Sequence, residues 1–119
     1  MATLSAEQKI YLKDKIIEVS NNFTGKSFFS LVEEFKIIMS IVPFTEIENW
    51  LFQLIRQENI AIVNGLLADL YYGSANYEDA RQYAALARDY FAKLPLWDEI
   101  IKRSNDQLNN DDTIEECEF

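Results

Sequence analysis

The side chains in this 119-residue chain that could do chemistry are many carboxylates and one thiol, with no imidazole among them. Asp and Glu together number 20, Cys117 is the one cysteine, and histidine is absent. The chain therefore lacks the commonest general base, the usual partner of a Ser or Cys nucleophile, and the commonest zinc ligand. Carboxylates could still act as acid–base pairs or hold a metal, but their spacing is unhelpful. Glu33/Glu34, Glu78/Asp79 and Asp98/Glu99 are adjacent, so each pair splays around its helix, and acids four apart, such as Asp14/Glu18, are rare. Glu46, Glu78, Asp79, Asp98 and Glu99 stand near expected helix starts, where negative charge complements the helix dipole. Thr24-Gly25-Lys26-Ser27 echoes the end of a phosphate loop, but the first glycine is missing and no strand precedes it. A helix-opening turn capped by Ser27 is the simpler expectation. Asp69 lies inside an otherwise apolar helix. It reads as an edge residue paired with Arg81 or Arg88 rather than as a buried functional acid. The expectation is no catalytic residue, no metal site, no cofactor and no small-molecule substrate.

The elements that carry these residues read as helices throughout. Only 3 Gly and 2 Pro argue against a turn-rich β fold, and alternation at period two is nowhere sustained. Six helical segments follow from the apolar periodicity. The first opens at Ser5, where Ser5-Ala-Glu-Gln8 is a capping box, and runs to about Asn21 with a stripe of Leu12, Ile16, Val19 and Phe23. The second opens at Ser27, carries one long stripe of Phe28, Leu31, Val32, Phe35, Ile38, Met39 and Val42, and stops before Pro43. The third begins at Thr45, where Thr45-Glu-Ile-Glu48 is another capping box, and points Ile47, Trp50, Leu51, Leu54 and Ile55 one way. The fourth, Ile60 to Tyr72, is apolar almost all round and so is central, with Gly73 as its C-terminal cap. The fifth starts at Asn76, and its small Ala80, Ala84 and Ala87 let a neighbouring helix come close, with Tyr83, Leu86 and Tyr90 widening one flank. A shorter sixth runs from Leu96 to about Leu108.

These segments predict an all-α fold: a single compact domain of five to six short helices, orthogonal or bundle-like. The domain is expected over residues 1–108, followed by an acidic, disordered tail over 109–119. The stretch from Asn64 to Pro95 resembles one tetratricopeptide repeat, a helical hairpin with small residues at its crossing, an aromatic before the second helix and a proline after it. Leu67 and Ala68 stand at the paired Leu/Gly positions, Tyr71 at the aromatic position, Tyr77 ahead of the second helix, and Ala80, Ala84 and Ala87 along it. The match departs at Asn64, where a bulky residue is usual, at Ala68, and at Pro95, which comes about three residues late. A shift of 34 residues upstream finds no second copy. The resemblance implies a helical hairpin near the C-terminal half and protein–protein binding.

Charge bounds the partner. The net charge is -9, and six of the 20 acids fall in 106–119 with no base among them, leaving 14 acids against 11 bases elsewhere. Such a chain repels nucleic acid. No apolar run is long enough to span a bilayer, no signal peptide opens the chain, and Cys117 is too near the end for a prenylation box, so a cytoplasmic location is expected.

With chemistry set aside, the surplus apolar residues point to function. Ile10 and Ile17 lie nearly opposite the stripe of the first helix, so that this helix is either covered on two sides or meets a partner there. Phe29, Ile37 and Ile41 lie off the centre of the stripe of the second, and Phe52 points away from that of the third. Ile10, Ile17, Phe29, Ile37 and Phe52, with the terminal Phe119, are the expected partner-binding residues of a non-enzymatic interaction or regulatory protein, an adaptor or blocking factor whose partner is another protein or a second copy. The alternatives are an acidic immunity or anti-defence inhibitor that occupies a basic nuclease or toxin surface, and a carboxylate- or metal-dependent enzyme.

Overall fold

A computed structural model describes residues 3–117, with side chains described as far as Asn109. Apart from Asn109, the side chains of the expected acidic tail therefore lie outside the described residues. The chain is all-helical, with six helices and no strand among the described residues. In order they are α1 (Ala6–Asn21), α2 (Gly25–Met39), α3 (Phe44–Glu58), α4 (Ile62–Gly73), α5 (Tyr77–Tyr90) and α6 (Leu96–Cys117). They gather into two compact units, Met1–Val63 and Asn64–Phe119.

The first unit holds α1 to α3. Its α1 opens as the sequence predicts: the Ser5 hydroxyl accepts from the Gln8 amide at 3.1 Å, and the Gln8 side chain accepts from the Ser5 amide at 2.8 Å. The next two starts differ from expectation. The cap of α2 is Thr24 rather than Ser27, with Ser27 as the reciprocal partner three residues on, both bonds being 3.0 Å. The Thr45 capping box does not form. Pro43 occupies the cap at φ -57°, ψ 145°, and its carbonyl receives the first amides, so Thr45 lies already inside the helix. Proline has no N–H to lose and its fixed φ suits a helix entry. The unit buries Leu12, Ile16 and Val19 of α1, Phe28, Leu31, Val32 and Phe35 of α2, and Ile47, Trp50, Leu51 and Leu54 of α3. The rings of Phe35 and Trp50 stack with centroids 6.4 Å apart, and Lys13 Nζ lies 2.7 Å from Glu58.

The second unit contains most of α4, with α5 and α6. Leu66, Leu67 and Ala68 are fully buried, as an all-round apolar helix requires. The end of α4 corrects the expected glycine cap. Gly73 is an ordinary last helical residue, and the left-handed position is Ala75 at φ 62°. The Asn76 amide reaches back to the Tyr71 carbonyl at 2.9 Å and the Ala75 amide to Tyr72 at 3.1 Å, the paired bonds of a Schellman ending. Next, α5 packs closely along α6. Arg81 bonds Asn105 and Arg88 bonds Asp98, each at 2.8 Å, so the partners move in opposite directions along the two helices and the pair is antiparallel. Ala80, Ala84 and Ala87 are fully buried, and α6 is the neighbour that runs close along α5. Contact with α4 comes through Tyr71 and Tyr83, whose rings lie 5.6 Å apart.

Trp97 of α6 is fully buried against Gly65 of α4: a β-carbon on Gly65 would sit 2.4 Å from the ring. The indole N–H donates to the Phe91 carbonyl at 2.9 Å.

These placements fix how changes at Ala75, Gly73 and Gly65 alter stability. Ala75→Gly relieves a left-handed alanine, and Gly73→Ala gains helix propensity with nothing within 4 Å to obstruct it. Each should stabilise the fold by about 0.5–1 kcal/mol in urea unfolding. A loss of stability in Gly73→Ala would restore the glycine-cap reading. Gly65→Ala, in contrast, should destabilise by about 1–3 kcal/mol because the indole has to move. Trimming the ring in Gly65→Ala/Trp97→Phe should then cost less than the sum of the two single changes.

Candidate interaction surface on the first two helices

The exposed apolar side chains concentrate on the first unit. Of the eight large hydrophobic residues that are exposed among the described residues, six belong to α1, α2 or the turn after α2: Ile10, Tyr11, Ile17, Phe29, Ile37 and Ile41. Ile10 and Ile37 are each 64% exposed, Phe29 46% and Ile17 38%. The reason is geometric. With about 100° of rotation per residue, Ile10 and Ile17 fall on one line of α1, opposite the buried Leu12, Ile16 and Val19. Phe29 and Ile37 likewise lie off the buried arc of α2.

An open groove of about 340 Å³ runs between these two helices. Its apolar floor is Val19 and Leu31, and its walls carry Lys15, Glu18, Lys26 and Glu34 with the hydroxyls of Ser27 and Ser30. Tyr11 bridges the rim: its hydroxyl lies 3.3 Å from Glu34 Oε1, and the Lys15 ammonium sits 5.6 Å from its ring centroid. Glu18 lies on the groove side of α1, about a quarter turn around the helix from the Ile10–Ile17 line. Ile10, Ile17, Phe29 and Ile37 are not part of its lining.

The remaining expected partner residues fare differently. Phe52 is only half-buried on α3 and so offers less surface than the other four. Phe119 lies outside the described residues. Tyr11, Ile41, Leu86 and Tyr90 are exposed surfaces that sequence reasoning did not single out as partner residues. Tyr11 could have been found from its place one step around α1 from Ile10. Ile41 could also have been found, since it falls outside the centre of the second helix's stripe just as Phe29 and Ile37 do.

The residues weighed for chemistry have structural work. The Thr24 and Ser27 hydroxyls both serve the start of α2, and Ser27 also donates to the Thr24 carbonyl at 3.0 Å. Asp69 is half-buried, while Arg81 pairs with Glu78 and Arg88 with Asp98. The exposed Arg103 guanidinium titrates above its ordinary value, because it is hydrogen-bonded to Tyr72 and lies beside Glu99. Among the described residues no group of three or more His, Cys, Asp or Glu is placed to hold a metal ion, and no helix is long and apolar enough to cross a membrane. No family model, curated protein or solved structure matches this chain.

One buried polar atom has no partner among the described residues: Ser104 Oγ, on the fully buried side of α6. An unsatisfied hydroxyl costs about 1–3 kcal/mol, and alanine removes it with little change in volume. Ser104→Ala should therefore leave the thermal midpoint unchanged or raise it, and a fall would show that the hydroxyl is bonded.

Proposed function

We propose that this chain is a non-enzymatic protein-binding factor, an adaptor or blocking protein, that engages its partner through the exposed apolar residues of α1 and α2. The concentration of six of the eight exposed large hydrophobic side chains on those two helices and the turn after them carries the reading. Apolar groups gathered on one part of a surface mark partner sites more often than scattered ones do. Folding does not need them, since α1 and α2 bury separate stripes of their own. The resemblance of residues 64–95 to a tetratricopeptide hairpin supports the same class of function, because protein binding is what that family does. Absence of histidine across the whole sequence weighs against acid–base or nucleophilic catalysis.

Charge favours one class of partner. At -9, with six acids in 106–119, the chain is drawn to basic surfaces, and the inhibitor of a basic nuclease or toxin is the second reading.

The test is a variant with Ile10, Ile17, Phe29 and Ile37 all changed to Ser. It should keep its helical circular dichroism and its cooperative melt, and lose the partner that the native chain captures from its host and binds in purified form. Unfolding of the variant would place these residues in the core and end the reading. The same titration in rising salt separates the two partner classes: a steep loss of affinity favours the basic surface, and indifference removes it.

A further inference from the structure

The partner surface on α1 has a direction. Around the exposed Ile10–Ile17 line, within about a quarter turn of α1 on each side, one flank carries Lys9 and Lys13 and the other carries Glu7, Asp14 and Glu18; Glu58 of α3 stands against Lys13, and Lys15 lies farther round, beyond Glu18 and over the Tyr11 ring. Ala6 and Asn21 extend the line at its two ends. The residues of the line and its two flanks are exposed except Lys13; Lys13 is partly exposed and bonded to Glu58 at 2.7 Å, which leaves two of its three N–H donors uncommitted. A helix lying along this line meets a basic rim on one side and an acidic rim on the other.

We propose that the occupant is a second copy of this chain, with the two α1 helices parallel and in register. The proposal rests on the protein-binding reading above and names the partner of this one face. Charge complementarity decides both the occupant and the direction. In a parallel two-fold pair, the basic flank of each helix faces the acidic flank of the other, so Lys13 comes beside Asp14 of the second copy, and Lys9 beside Glu7, twice over. Ile10 meets Ile10 and Ile17 meets Ile17, at the seven-residue spacing of a helix seam. An antiparallel pair would set Lys13 beside Lys13 and Asp14 beside Asp14. The interface is isologous, since one patch is complementary to itself. Two isoleucines per helix cover far less than a standard interface, so the dimer is weak and concentration-dependent.

Sedimentation velocity of the full chain, up to about 1 mM, reads the equilibrium directly. A reversible dimer is expected, with Ile10→Ser/Ile17→Ser sedimenting as a folded monomer. Asp14→Asn should weaken the dimer about two- to tenfold, as removal of two exposed ion pairs does. Direction is read by oxidative cross-linking in a Cys117→Ser background. Asn21→Cys alone should form a disulfide dimer if the helices are parallel, whereas an antiparallel pair would cross-link Ala6→Cys to Asn21→Cys. A native chain that stays monomeric throughout, or a preference for the 6-to-21 cross-link, overturns the proposal. The broader reading fails separately: if the native chain is monomeric yet the fourfold variant still loses the captured protein, only the pairing of α1 falls.

Discussion

A tryptophan ring resting on a glycine sets the spacing of the second unit. Trp97 occupies the space that a β-carbon on Gly65 would need, so α6 comes this near to α4 only because Gly65 has none. An indole buried to this depth also needs a partner for its N–H. It finds one where α5 ends, since the last carbonyls of a helix have no amide ahead of them within the helix. The Phe91 carbonyl takes both the Trp97 N–H at 2.9 Å and the Leu94 amide at 3.2 Å, which uses its two lone pairs and shapes the turn into α6. One side chain thus fixes a helix spacing, a helix ending and the following connection.

The antiparallel pair of α5 and α6 is the consequence. Once Trp97 fixes the entry, a stripe of alanines on α5 allows close approach, and Arg81 and Arg88 clip the outer edge at two points seven residues apart on each helix. The exposed Arg88–Asp98 pair adds little stability by itself, because ion pairs in water are worth well below the burial they accompany, and Arg81–Asn105 is a single part-buried hydrogen bond. Their service is register. The Ser104 hydroxyl, fully buried on α6, is left without a partner among the described residues, a cost that alanine at this position would not carry.

Much of this organisation was legible in the sequence, and the failures have physical causes. Stripes such as Leu12–Ile16–Val19 and Phe28–Leu31–Val32–Phe35 follow from helical periodicity alone, and so did the Ser5–Gln8 box. Helix ends were harder because several residues could each serve as cap. Thr45 with Glu48 satisfies the capping pattern as well as Ser5 with Gln8 does, but the chain enters α3 one residue after Pro43. Gly73 looked like the residue for a left-handed ending, whereas the chain turns at Ala75 after one more residue of non-helical backbone, a choice that local propensity disfavours. The role of Gly65 was invisible, since it depends on Trp97, which lies 32 residues away in sequence. The exposed Ile10, Ile17, Phe29 and Ile37 were readable as residues left over from the stripes, while Phe52 is half-buried for reasons that periodicity does not contain.

What the exposed residues could do depends on more than their hydrophobicity. Bare isoleucines in water attract any apolar surface, and a chain of net charge -9 offsets this by repelling most neighbours, which in a cell are also acidic. Repulsion of that kind is general, whereas the arrangement around α1 is local: basic on one flank, acidic on the other. A helix approaching the Ile10–Ile17 line in the wrong direction, or with like charges along its edges, meets a penalty at both rims. Apolar contact then supplies attraction, and the rims supply discrimination, which is how a surface with only two isoleucines can be selective without being strong.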